Sequence, residues 1–330
     1  MIVEQDEFLH LDSAPIPGAL FVDTTWFSVM DPDANVFGVA QIFLTNHGYS
    51  RWASLFQIDG VLQYWGNKHF FDAQKEPRGP WGDGRMSYEV LRPLDAFRVS
   101  FNGPLYAYDL NFKARYPAFE YDHSQAAHQL TEANDYFSMV WGGHFEQAMD
   151  CHGQFEIRQG PASGQVRNIA CRSHRERSWM HNFHEEKEWE RVSEPRFAGH
   201  FWLILHLDDA QLCALGCPQG SRLSMPTVGS ISSAQGDQPL RGVEAEIILS
   251  DDSSTAIEFR FVLNMPDGRR RQVRSLRKLG EIKLWYRGDN CLDNPVDCFE
   301  AFCEFELDDG RRCMGVCEYS IHPAQQRWLS

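Results

Sequence analysis

The sequence predicts an all-β fold of two tandem barrel- or sandwich-type domains with few short helices, on three observations. The chain has 330 residues, beyond the length at which a single hydrophobic core usually stops growing, so two domains are expected. Aromatic residues make up 13% (23 Phe, 10 Trp, 10 Tyr), which favours strands and apolar interiors. Alternating apolar and polar residues recur along the chain in short runs closed by turn signals.

The runs come in order. Ile58 leads through Asp59-Gly60 into Val61, Gln63 and Trp65. Phe97, Val99 and Phe101 reach Asn102-Gly103, beyond which Tyr106, Tyr108, Leu110 and Phe112 alternate with Ala107, Asp109, Asn111 and Lys113. Asn-Gly between such runs predicts a tight hairpin with positive φ at both turn residues. Phe201 to Leu207 is continuously apolar apart from His206 and ends at Asp208-Asp209. Ile257, Phe259, Phe261 and Leu263 run into Pro266-Asp267-Gly268, and Ala301, Cys303, Phe305 and Leu307 into Asp308-Asp309-Gly310. Ser124 to Phe137 and Asn182 to Val192 read as helical, and Gln219 to Gly242, rich in Ser, Gly and Pro, reads as a long loop. No short-period repeat stands out. A charged, less regular stretch over about residues 165–195 separates the two sets of hairpins and places the domains at 1–175 and 176–330.

Composition excludes some functions. A net charge of −15 repels phosphate backbones and anionic membrane surfaces, so no nucleic-acid partner is expected. The basic run Arg269-Arg270-Arg271 with Arg274, Arg277 and Lys278 reads as a solvated strand face. Residues Met1 to Gly18 lack the apolar run of a signal peptide. No stretch reaches the roughly 20 apolar residues of a membrane span. Nine scattered cysteines fit reduced thiols and a cytoplasmic location.

Ionisable residues are densest between Trp141 and Glu190. They include His144-Phe145-Glu146-Gln147, then Arg172 to Trp179, then His181, His184, Glu185 and Glu186. On a strand over 172–179, His174, Glu176 and Ser178 share one face while Arg175, Arg177 and Trp179 share the other. A face with His and Glu side by side can hold or pass a proton. The same residues also fit a structural network in which arginine clamps Glu176. His181, His184, Glu185, His200 and His206 are candidate metal donors by type, but no spacing matches a metal motif. Cys213 with Cys217 and Cys313 with Cys317 lie four apart, roughly 13 Å on a strand, and read as core residues. No phosphate loop, dinucleotide fingerprint or nucleophile elbow is present. No metal and no cofactor are therefore expected.

Three motifs together resemble the AttH-like superfamily, which includes the carotenoid hydratases (hydroxyneurosporene synthases). They are His144-Phe145-Glu146-Gln147; His174-Arg175-Glu176-Arg177-Ser178-Trp179, similar to the family's Arg-Asp-His-Ser-Trp; and Gly315-Val316-Cys317-Glu318-Tyr319, similar to its closing Gly-x-x-Glu-Tyr. Arg115-Tyr116-Pro117-Ala118-Phe119-Glu120-Tyr121 adds to the resemblance. The resemblance implies two lipocalin-like β domains and an acid that protonates an isoprenoid double bond. Glu176 falls where the family has Asp, His174 where the hydratases have Tyr, and His144 and Glu146 where they have His and Trp. These differences separate the chain from the hydratases and keep the acid–base character.

Two readings follow. In the first the protein is a cofactor-independent lyase or isomerase (hydratase, dehydratase, double-bond isomerase or cyclase type) acting on an apolar, isoprenoid-like small molecule. Glu176 is its general acid, assisted by His174, His144 and Glu146, and Trp179, Trp141, Arg175 and Tyr319 contact the substrate. In the second it is a non-catalytic lipocalin-like carrier of a hydrophobic ligand. A Glu176 held bidentately by arginine favours the carrier, and one free of arginine favours the enzyme.

Overall fold

The computed structural model describes residues 2–11, 20–120, 141–181, 200–219, 227–252, 254–284 and 297–321. The segments expected to be helical, Ser124 to Phe137 and Asn182 to Val192, lie outside the described residues, as do His184, Glu185 and Glu186.

The first sheet holds β1 (Phe21–Asp31), β2 (Val36–Thr45), β3 (Tyr49–Ile58), β4 (Val61–Phe70), β5 (Trp81–Gly82), β6 (Met86–Arg92), β7 (Ala96–Asn102), β8 (Tyr106–Ala114), β9 (Phe119–Glu120), β10 (Trp141–Ile157) and β11 (Val166–His181). Its order is β4-β3-β2-β1-β11-β10-β8-β7-β6-β5, with β9 on β10. The second holds β12 (Phe201–His206), β13 (Ala210–Gly216), β14 (Val228–Ser233), β15 (Gly236–Pro239), β16 (Gly242–Leu249), β17 (Ala256–Asn264), β18 (Arg270–Leu284), β19 (Asp297–Leu307) and β20 (Arg312–Ile321), in the order β15-β14-β13-β12-β20-β19-β18-β17-β16. Each is an antiparallel meander curled into a half-barrel, so the chain is two lipocalin-like domains. In both, the first strand pairs with the last: β1 with β11, and β12 with β20. The sequence shows no repeat, yet the topology repeats. Described residues up to His181 form one compact unit and those from His200 a second; position 175/176 falls inside β11.

Turn chemistry explains most of the hairpins. Asp59 and Gly60 both take positive φ (52° and 78°) between β3 and β4, as a two-residue primed turn requires. Gly268 and Gly310 take φ of 86° and 82° in their turns. Asn102-Gly103 differs from expectation. Neither has positive φ, and Gly103-Pro104-Leu105 links β7 to β8 instead. Glycine is needed there for space, because a Cβ would lie 2.3 Å from the Phe101 ring. The long loop expected over Gln219 to Gly242 is also corrected, since it contains the β14–β15 hairpin. Small residues, Ser230, Ser232 and Ser233, hide the alternation. The basic run is a solvated face as expected, with Arg270, Arg274 and Arg277 paired to Glu244, Glu306 and Glu304.

Alternation builds each core. Phe27, Phe56, Tyr88, Phe97, Tyr106, Tyr108, Phe112 and Phe155 fill the first, with Phe27 and Phe112 centroids 4.5 Å apart. The Tyr106 and Tyr108 hydroxyls both donate to Ser54 Oγ. Phe201, Leu203, Leu205, Phe259, Phe261, Phe305 and Tyr319 centre the second.

Two arginines of β11 also point into the first core. Arg175 and Glu7 are both fully buried and joined bidentately at 2.6 and 2.8 Å. Glu7 ends a short 3-10 turn, Glu4–Glu7, and its Oε1 also accepts the Leu94 N–H at 2.9 Å. Arg175 further donates to Gln147 Oε1 and covers the Phe97 ring at 4.0 Å. Arg177 donates to Asp23 at 2.7 Å and to the carbonyls of Thr24 and Phe8. His10 donates its backbone N–H to Asp23 as well. The N-terminal segment is thus bound to the barrel interior by the Glu7–Arg175 pair and by the hydrogen bonds of Phe8 and His10 with Arg177 and Asp23.

Breaking such a pair leaves a buried charge uncompensated. Glu7→Gln is expected to cost roughly 3–5 kcal/mol, and Glu7→Gln with Arg175→Met to recover most of that loss. Chemical denaturation of the two variants checks this.

Candidate functional site

β10 and β11 pair with His144 opposite Ser178, Glu146 opposite Glu176, and Ala148 opposite His174. The strand period of two sends Phe145, Met149, Arg175, Arg177 and Trp179 toward the core and His144, Glu146, His174 and Glu176 to the other face of the sheet. Those four residues are thus brought together as the sequence predicted, and His144, Glu146 and His174 are buried.

They form a chain of contacts. The His174 Nε2–H donates to Glu146 Oε2. Glu146 Oε1 lies 3.0 Å from His144 Nε2, and that nitrogen lies 3.6 Å from Glu176 Oε1. The Ser28 hydroxyl on β1 accepts the backbone N–H of His174 at 3.1 Å and fixes the strand. Trp26 lies opposite Glu176 in the β1–β11 register. Its ring meets His174 edge-on, with centroids 6.1 Å apart.

The two carboxyls of the cluster are driven apart in acidity. Burial pushes Glu176 up to about 7; the positive charge on His144 opposes this and the negative charge of Glu146 adds to it. Burial also pushes Glu146 up, but the charges and hydrogen bonds of His174 and His144 outweigh it and hold Glu146 below the ordinary carboxylate range. Burial pushes His144 down, but its hydrogen bond and attraction to Glu146, with help from Glu176, leave it above its ordinary value. Near neutrality Glu146 is an anion flanked by imidazoles and Glu176 retains a proton about half the time. Such a split between neighbouring carboxyls is one that acid and base pairs of enzymes share, and structural ion networks also produce shifts.

No arginine pairs with Glu176 among the described residues. The Arg-Glu-Arg stretch is divided by strand alternation, and Glu7 and Asp23 take its two arginines. Arg175, expected to contact substrate, is a core residue on the opposite face. Trp179 is on that face too, stacked on His10 at 3.8 Å with ring planes 3° apart. Gly143 makes room for it, since a Cβ there would lie 2.2 Å from the indole, and the strand register shifts between Trp141 and Gly143. Tyr319 lies in the second core, its hydroxyl donating to Glu281 at 2.8 Å. The side chain of Trp141 lies outside the described residues, and so does that of His181.

Sequence reasoning missed Glu7, Asp23 and Trp26. Asp23 carried a signal: it is the first acid of an otherwise apolar and hydroxyl-bearing strand. Trp26 carried one only in retrospect, through the pairing of β1 with β11.

Residues 4–323 match the family described as DUF7064, a domain of unknown function. The chain belongs to the DUF7064 family. No curated protein matches it. Among solved structures, this DUF7064 protein is similar to one assigned as AttH from Nitrosomonas europaea, at 12% identity and a TM-score of 0.62, over 97% of this chain and 96% of that one. It is also similar to CghA solved with Sch210972, at 10% identity and a TM-score of 0.55, over 94% of this chain and 93% of that one. A further CghA structure gives a TM-score of 0.53 over the same shares, at 10% identity. These likenesses bear out the AttH-like fold that the three motifs implied. No helix among the described residues is long and apolar enough to cross a membrane.

The raised pKa of Glu176 has a stability consequence. From its ordinary value of 4.5 to about 7, the folded protein holds the Glu176 proton and the unfolded chain does not. This contribution is full below pH 4.5 and lost as pH rises through 7, by roughly 3 kcal/mol. Glu176→Gln removes that loss. It is expected to match the native protein at pH 4.5 and to exceed it in stability at pH 8, measured by denaturant unfolding at both pH values. A variant destabilised at pH 8 would mean that Glu176 holds a buried cation.

Proposed function

We propose that this protein is a cofactor-independent acid–base enzyme, a lyase or isomerase acting on an apolar, isoprenoid-like small molecule, with Glu176 as general acid. The observation that carries the reading is a largely buried Glu176, 12% exposed, with no arginine ion pair among the described residues and a pKa near 7, linked through His144 to a carboxylate that stays ionised.

In this reading the Glu176 carboxyl donates its proton to a carbon of a substrate double bond, leaving a carbocation and the Glu176 carboxylate. Trp26, opposite Glu176, offers its ring face to that cation. Such contact is worth roughly 2 kcal/mol when desolvated, and Trp26 stands in the place expected of Trp179. In hydration, water adds to the cation and its surplus proton passes to the His144–Glu146 pair, then across 3.6 Å to Glu176. In isomerisation, the cation loses a neighbouring proton to the same groups. Either route returns Glu176 to its acid form without external reactants other than water. The solved CghA with Sch210972 supports a fold able to accompany a non-protein compound.

The test begins with organic extraction of whatever co-purifies with the protein, followed by incubation of the extract with fresh enzyme in D2O. The expected result is product with deuterium on carbon, detected by mass spectrometry. Glu176→Gln keeps the shape of the side chain but has no acidic proton. Its turnover is expected to fall at least roughly 10²–10⁴-fold, while ligand retention changes little. Normal turnover by this variant would remove Glu176 as the acid. Retention of ligand with no conversion by the native protein would favour the carrier.

A protonated Glu176 is required, so kcat/KM is expected to fall as pH rises through about 7. His144 is the strongest charge lowering that value, so His144→Gln is expected to move this alkaline limb to higher pH. A limb that stays in place would assign it to another group.

A further inference from the structure

The second unit carries a separate cluster that the acid–base reading does not use. His200 precedes β12, Glu318 lies on β20 and Cys298 on β19. One donor atom from each side chain lies within 4.8 Å of the other two. Ser320 is the hub that brings them together. Its backbone N–H donates to the His200 carbonyl at 3.2 Å, Cys298 is its cross-strand neighbour on β19, and Glu318 is two residues before it on the same face. Cross-strand neighbours and residues two apart are the positions whose side chains converge on a sheet face. All three side chains leave the face opposite the second core, where Cys317, Tyr319 and Ala301 point. Cys298 and Glu318 are buried and His200 is partly so.

We propose that His200, Cys298 and Glu318 form a zinc site with three protein donors. An imidazole nitrogen, a thiolate sulfur and a carboxylate oxygen are each ordinary ligands of this borderline-soft ion, and three protein donors leave one position open. Magnesium and calcium favour all-oxygen sets, which the thiol and imidazole do not offer. His200 Nε2 is turned toward Glu318 Oε1, 2.5 Å away. Its other ring nitrogen, Nδ1, is 2.8 Å from Ser320 Oγ, a contact of the kind that fixes the tautomer of a metal-binding histidine. In tetrahedral zinc, donor atoms stand roughly 3.3–3.8 Å apart, given metal–ligand lengths of about 2.0–2.3 Å. The ion would replace the proton between His200 and Glu318 and widen that gap by about 1 Å. Glu300, fully buried, faces Glu318 from β19 and adds a second carboxylate to the same face, which favours a cation. Cys313 and Cys317 are not the donors, as both point into the core.

Full-length protein, stripped with a chelator and dialysed, is titrated with zinc chloride by calorimetry and with cobalt chloride by absorbance. The expected result is one equivalent bound, with a thiolate-to-cobalt charge-transfer band. Cys298→Ser should abolish that band, and Cys298→Ser and Glu318→Gln should each weaken zinc binding at least roughly 100-fold. Ser320→Ala, which leaves all three donors, should weaken it roughly 10–100-fold. Cys313→Ser should leave it unchanged. Circular dichroism without zinc confirms that each variant is folded. Absence of zinc uptake and of the cobalt band in the folded native protein would overturn the proposal. So would full-affinity uptake by folded Cys298→Ser.

Discussion

The period of two along β11 is the constraint on which the site depends. Arg175, Glu176 and Arg177 are consecutive, and in solution they would be an acid between two bases. The strand sends the arginines to one face and the acid to the other. Once the arginines are buried, they require carboxylates on their own side, and Glu7 and Asp23 supply them. Their pairing with those partners leaves Glu176 in a largely buried setting where the His144 imidazole is the strongest group opposing its neutral form, ahead of the Ser178 hydrogen bond and the charge of Arg177. The structural role, which competes for Glu176 in the sequence, is therefore met by Glu7 and Asp23.

The same constraint separates packing from chemistry across the first domain. The inward face of β10 and β11 joins an aromatic core, so the fold is held without the ionisable cluster. The outward face carries four titratable groups side by side. Buried ionisable groups cost stability unless balanced, and here Glu146 is balanced by the two histidines, leaving Glu176 as the group bearing an unfavourable charge. That is the expected signature of a place where sequence serves function and not fold.

Much of this was legible in the sequence because it is local. Alternation, turn residues and the face-sharing of His174 with Glu176 all follow from neighbours along one strand. The meeting of His144 and Glu146 with that face needed only that two strands pair. What stayed hidden was long-range. Glu7 reaches Arg175 across 168 positions, and no local pattern marks that pairing. Trp26 was invisible for the same reason. Asn102-Gly103 misled because Pro104 follows it and fixes a wider connection, and the β14–β15 hairpin was hidden by its own small residues. Arg175, Trp179 and Tyr319 were matched to motifs correctly placed in the chain, but the motifs do not say which way a side chain turns.

The pairing of first strand with last bears on how the chain acquires its structure. β1 has no neighbour on one side until β11 exists, and β12 waits in the same way for β20; the contacts involved span 146 and 120 positions. Closing such long loops is entropically costly before any contact rewards it, so domains built this way form slowly. During synthesis each central strand therefore presents an unpaired apolar edge for most of its domain's length. Each domain is completed by this long-range pairing, whereas the acid–base cluster on β10 and β11 needs only the pairing of those two neighbouring strands.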